Sequence, residues 1–391
     1  MEQTPQPIPV QDPPEASLRQ RFVSGPQSGG SGILVIVYSQ VRVPEDRFGL
    51  ERLFMDTRHA CLFLNDLRWR WYEGQTAAID TAIDAAIARA KPSRIIHYGS
   101  SMGGHAALAA GLRRGDGEVH SFGPELEPGR PGTQSADYGL ASPGTPAEAL
   151  ALAPEFARLE TPPGHPLHLY FGHFDAADAA GAARVLSRKA EVPAMAGIHV
   201  HELASCHASH DHLYALNVIR KIIRTFERDP AAELAARDLL QTLQPAFHAG
   251  FSQAAERLAQ STLPDEADLL RLDGLAPNHI GLLRLRAEVA AAREDLEAAL
   301  ALMTRAEAQI ASHPSLAALP KRWRKDLTLA RIRWLADLGR QAEAQERLTV
   351  LAAQMPHDPK VVALAGSLAS HCRKAEKRRE PACIFRTNAE H

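Results

Sequence analysis

Six short, mostly apolar runs, rich in β-branched and aromatic residues, punctuate the first 205 residues. They are Ile33–Tyr38, Cys61–Leu64, Arg94–Tyr98, Glu118–Phe122, Leu167–Phe171 and Ile198–Leu203. Runs of this kind predict strands buried on both faces. Helical patterns lie between several of them. Thr76–Ala90 sets Ile79, Ile83 and Ile87 four apart on one face, and Met102–Arg113 is rich in Ala and Leu. Ala177–Lys189 and His212–Arg228 also read as helices. Strand alternating with helix predicts an α/β domain over 33–229, a mostly parallel sheet of about six strands with helices on both faces. The Pro- and Gly-rich stretch 123–165 breaks the alternation and is expected to be a long loop or a small cap.

After about Ala231 the strand pattern stops. Eight helical segments follow, from Ala231–Leu243 to Pro359–His371, with breaks at Pro or Gly. They predict an all-α helical-repeat domain over 230–372. Asp326 to Pro356 is the clearest unit, and it resembles a tetratricopeptide repeat, whose period is about 34 residues. Residues 1–32, mixing Pro, Gln, Ser and Gly, read as a flexible leader, and 373–391 as a charged, solvated tail.

Composition narrows the function. Of 391 residues 45% are hydrophobic, enough for a large core, and the formal charge of −2 favours neither nucleic acid nor a membrane surface. No apolar run approaches the ~20 residues of a membrane span. The N-terminus lacks the charged and apolar regions of a signal peptide. Four scattered cysteines, Cys61, Cys206, Cys372 and Cys383, show no metal-type pairing. A cytoplasmic location is the simplest expectation. No motif asks for a cofactor.

The run Arg94–Tyr98 leads straight into Gly99-Ser100-Ser101-Met102-Gly103-Gly104, and a helix follows. A serine displayed on so sharp a turn needs small residues two before and two after it. Gly99 and Gly103 fill those places, so Ser101 is the candidate nucleophile. The Met102 amide at the helix start is a candidate oxyanion donor, and Ser39, at the end of the first run, a second. A serine needs a base, and the base an orienting acid, in the chain order Ser, acid, His. Asp175, just past Leu167–Phe171, is the first choice of acid; Asp178 is the alternative, or a helix cap. For the base, His212 ranks first, His210 a close second and His207 third. His210 and His212 also suggest zinc, but no His-Glu-x-x-His motif supports them, and no metal is expected. Gln40, Asp66, Trp71 and Tyr72 converge on the same sheet edge and are candidate substrate contacts.

On Gly99–Leu108, Asp175 and His212 or His210, the segment from Ile33 to about Asp229 resembles the α/β-hydrolase superfamily. Leu64-Asn65-Asp66 with Trp71-Tyr72-Glu73-Gly74 resembles a bacterial subgroup found with surface-polysaccharide genes. The resemblance implies hydrolysis of a small-molecule or glycan ester through a Ser-Asp-His triad. The chain departs from the superfamily in lacking a His-Gly-Gly-Gly oxyanion loop, where Tyr38-Ser39-Gln40 stands. Two other functions stay open: an acyltransferase using the same triad, and an inactive scaffold whose helical repeats bind a protein partner.

Overall fold

The computed structural model describes residues 17–26, 28–140, 151–152, 155–156, 159 and 161–368. Cys372, Cys383, the charged tail, most of the leader and part of the 123–165 stretch lie outside them.

All six expected strands form, as β2 (Ile33–Tyr38), β3 (Ala60–Asp66), β4 (Arg94–Ser100), β5 (Glu118–Phe122), β6 (Leu167–Gly172) and β7 (Ile198–Leu203). A seventh, β1 (Leu18–Val23), comes from the segment expected to be leader. It pairs antiparallel with β3, Leu18 opposite Asp66 and Val23 opposite Cys61. Its pattern was illegible because it is an edge strand, with Arg19, Gln20 and Arg21 facing water. The sheet order is β1-β3-β2-β4-β5-β6-β7, with β2 to β7 parallel.

Alternation along β2 shows how the layers form. Ile33, Val35 and Val37 join one core with Ile96, Tyr98, Phe122 and the residues Val218, Ile219, Ile222 and Ile223. Leu34, Ile36 and Tyr38 join the opposite core with Ile79 and Ile83 of α2 (Thr76–Ala90) and Met102, Ala106 and Ala110 of α3 (Met102–Arg114). A period of two thus sends alternate side chains into two helical layers. The expected helix His212–Arg228 is broken into Ser209–Ala215 and Val218–Ile223, with Asn217 left-handed between them.

Contacts divide the chain into two compact units, Met1–Leu282 with Ile310–Leu319, and Leu283–Gln309 with Pro320–His391. The first unit therefore includes helices Pro230–Ala235, Pro245–Ala259 and Glu266–Leu275, which the helical pattern alone groups with the C-terminal domain. The reason is tertiary. Leu240 bridges Leu203 at the end of β7, and buried His248 bonds Glu202 at 2.7 Å. In the second unit, helices Lys321–Asp337 and Gln341–Gln354 pack through Ile332, Leu335, Leu348 and Leu351.

The turn after β3 carries unusual strain. Trp69, Trp71 and Tyr72 all have positive φ, of 54°, 55° and 60°. One carboxylate holds them there. Asp66 accepts from the amides of Arg68, Arg70 and Tyr72 and from Gln75 Nε2, at 2.8–3.1 Å. Asp66→Ala is expected to lower unfolding free energy by about 3 kcal/mol, since buried amides lose a charged acceptor. Denaturant titration checks this; a loss below about 0.5 kcal/mol would show that the turn holds itself.

Candidate active site

The sheet order reverses at β2, where the chain moves first to β3 and then back across to β4, and open α/β sheets take their ligands beyond the carboxyl ends at such a point. The turn from β4 into α3 sits at this point. Ser101 takes φ 55° and ψ −122°, a strained conformation for a residue with a side chain. Added Cβ atoms explain the glycines. One on Gly99 would stand 2.0 Å from Gly103 O, and one on Gly103 would stand 2.2 Å from Tyr38 O. Ser101 occupies the N-cap position without making a cap hydrogen bond. The Met102 amide therefore opens the first turn of α3, where the helix dipole favours negative charge.

His207 Nε2 lies 3.1 Å from Ser101 Oγ, and His207 Nδ1 lies 2.8 Å from Asp178 Oδ1. The other oxygen of Asp178 accepts from the Gly172 amide at 2.9 Å. Close backbone approach sets this line. A Cβ on Gly172 would fall 2.1 Å from Cys206 O, and Gly123, with φ 57°, leaves room for the His207 ring. Burial pushes the Asp178 carboxyl up, and His207 and the Gly172 amide pull it back. Burial also disfavours a charged His207, but Asp178, Asp175 and Glu125 outweigh it and raise the imidazole to about 10.

The first choices for acid and base are placed elsewhere. Asp175 is the N-cap of helix Ala176–Glu191, its carboxylate accepting from the amides of Ala177 and Asp178. His210 is buried with Nε2 2.8 Å from the Tyr98 hydroxyl. His212 bonds Ser205 Oγ through Nδ1 and the Ser315 carbonyl through Nε2. Neither ring is aimed at Ser101. The Ser39 amide donates to Leu64 O at 2.9 Å, so it is not free to serve an oxyanion. Trp71 and Tyr72 are buried, and the Tyr72 hydroxyl bonds the carbonyls of Ser39 and Leu64. Asp66 organises the turn described above. Among the described residues, Gln40 Oε1, Trp69 Nε1, Trp71 Nε1 and the Tyr138 hydroxyl are buried without a partner.

Two residues that the sequence pattern did not single out complete the surroundings. Ser101 Oγ donates to Gln134 Oε1 at 2.5 Å. Glu125 braces the neighbouring Ser135, accepting from its amide and hydroxyl. Burial, with Asp175 adding to it, holds the Glu125 carboxyl up at about 7 against the pull of Ser135 and His207. Both residues sit in the loop after β5, whose Pro- and Gly-rich sequence gave no signal for them.

Among the described residues, two groups bring three metal-type donors within 4.8 Å of one another: Asp175, Asp178 and His207, and Glu118, His120 and His168. Burial and crowding by other imidazoles push His168 down to about 2 and His201 to about 3.

No family model matches the chain, and no curated protein matches it. A solved structure, the capsule O-acetyltransferase of Neisseria meningitidis serogroup A in complex with caged gadolinium, is similar at 15% identity and a TM-score of 0.39. The likeness covers 53% of this chain and 92% of that one, and is too loose to bear on chemistry.

The His207 ring is expected to titrate above the ordinary histidine range in NMR spectra. Glu125→Gln removes a carboxylate that favours the imidazolium, so the pKa falls; Asp178→Asn lowers it further. An unshifted His207 in both variants would separate the ring from these carboxylates.

Proposed function

We propose that this chain is a serine acyl-ester enzyme in which Ser101 is the nucleophile, His207 the general base and Asp178 the orienting acid. The continuous line from Asp178 Oδ1 through His207 to Ser101 Oγ carries the reading. Once its ring has lost its own proton, which the raised imidazole makes an alkaline-pH event, neutral His207 takes the Ser101 proton as Oγ attacks the ester carbonyl. Negative charge develops on the carbonyl oxygen, near the Met102 amide and the N-terminus of α3. His207 then protonates the leaving alcohol, and an acyl-Ser101 remains. Water activated by His207 releases the acid in a hydrolase; an acceptor hydroxyl takes the acyl group in a transferase.

Acyl transfer is the second reading, favoured by the burial of Ser101, which is only 9% exposed, since restricted access of water would spare an acyl-enzyme for an acceptor hydroxyl. In the conformation described, Gln134 stands against the nucleophile and must withdraw before substrate enters. A role for the C-terminal helices in binding a protein partner belongs to the same proposal. Among the described residues, no helix is long and apolar enough to cross a membrane.

A fluorophosphonate probe should label the wild type and not Ser101→Ala. His207→Ala should slow labelling by about 10³-fold or more. His210→Ala and His212→Ala should label whenever they fold, and Gln134→Ala should label faster than wild type. Equal labelling of wild type and Ser101→Ala, or unchanged labelling of His207→Ala, overturns the assignment.

A further inference from the structure

The first halves of β5, β6 and β7 carry a polar group that the proposed reaction does not use. In register, His120 of β5 stands beside His168 of β6, and His168 beside His199 of β7. Glu118 and His201, each two residues away on its strand, face the same side. The rings stack across the strands, with centroids 4.9 Å apart for His120 and His168, 4.9 Å for His168 and His199, and 5.4 Å for His168 and His201. On the adjacent strand β4 the same rows hold Ile96 and Tyr98, opposite Glu118 and His120. Apolar or aromatic side chains therefore suit this face, yet four imidazoles and a carboxylate are gathered on it.

We propose that this cluster binds a divalent transition-metal ion of the zinc class, with Glu118, His120 and His168 as ligands. Their donor atoms lie within 4.8 Å of one another. Zinc–nitrogen bonds of about 2.0–2.1 Å put tetrahedral donors roughly 3.3 Å apart, a distance that small side-chain rotations reach. The remaining ring nitrogens have the partners that orient metal-binding histidines. His120 Nδ1 meets the Tyr170 hydroxyl at 2.9 Å, which leaves Nε2 for the metal. His168 Nδ1 meets His201 Nε2 at 3.2 Å, which leaves its own Nε2. Arg94 holds Glu118 Oε2, and Oε1 lies 2.7 Å from His120 Nε2, where the ion would enter between them. His199 is exposed on the edge strand β7 and marks the way in from solvent. Imidazole-rich donor sets favour zinc, nickel and copper over magnesium and calcium.

The test is titration of the chelator-treated full chain with Zn²⁺ by calorimetry and with Co²⁺ by visible absorption. One equivalent should bind, with a Co²⁺ spectrum typical of low-coordinate nitrogen and oxygen ligation and a rise in melting temperature. Ser101→Ala and His207→Ala should bind as wild type does. His168→Ala should lose the site, and so should His168→Phe, which keeps a stacked ring but no nitrogen; far-UV circular dichroism confirms that each folds. Absence of binding by the wild type overturns the proposal. So does wild-type binding by a folded His168 variant, or loss of binding in His207→Ala, which would move the ion to the Asp175, Asp178 and His207 group.

Discussion

The close crossing of backbones at the end of β4 is the constraint on which the site depends. Gly99, Gly103 and Gly104 have no room for side chains because β2, β5 and the start of α3 press against them. That crowding leaves Ser101 with a positive φ of 55°, its hydroxyl in contact with His207 and Gln134. The strain is sustained because the surrounding sheet is buried on both faces, so the turn cannot relax without parting β2 from β4. The same turn starts α3 directly after Ser101, so the positive end of the helix adjoins the serine.

A second set of close approaches positions the partners. The end of β6 packs onto the loop after β7, with Phe174 N bonded to Ser205 O and His173 N to Leu203 O. This fixes Asp178 on the first turn of its helix and His207 on the facing loop, so that one ring spans the gap between carboxylate and serine. Three carboxylates, of Asp178, Asp175 and Glu125, lie near that ring, and their field favours the imidazolium. Gln134, next to the braced Ser135, stands against the nucleophile, and Ser101 is only 9% exposed.

The sheet uses its two ends differently. Its carboxyl ends gather the serine, histidine and aspartate around a strained turn. Near the amino ends of β5 to β7, imidazoles stand in register on neighbouring strands, an arrangement that follows from parallel pairing. The two groups share the sheet, and each can be altered without touching the other's side chains.

The sequence alone determined what depends on neighbours in the chain. Short apolar runs rich in β-branched and aromatic residues defined six strands, and the spacing of Gly99, Ser101 and Gly103 defined the sharp turn, because turn sterics act over consecutive residues. It ranked Asp175 above Asp178, and His212 and His210 above His207, whereas the structure brings Asp178 and His207 to Ser101. Those choices depend on which side chain of a short loop points toward a serine more than 70 residues away in sequence, and only packing decides that. Asp175 was taken as a helix cap, while Tyr98, Ser205 and Ser315 claimed the other two histidines. The charged edge strand β1, the contribution of Gln134 and Glu125, and the docking of Pro245–Ala259 with the sheet domain were likewise decided by tertiary structure. Each rests on contacts between segments that carry no mutual signal in the chain.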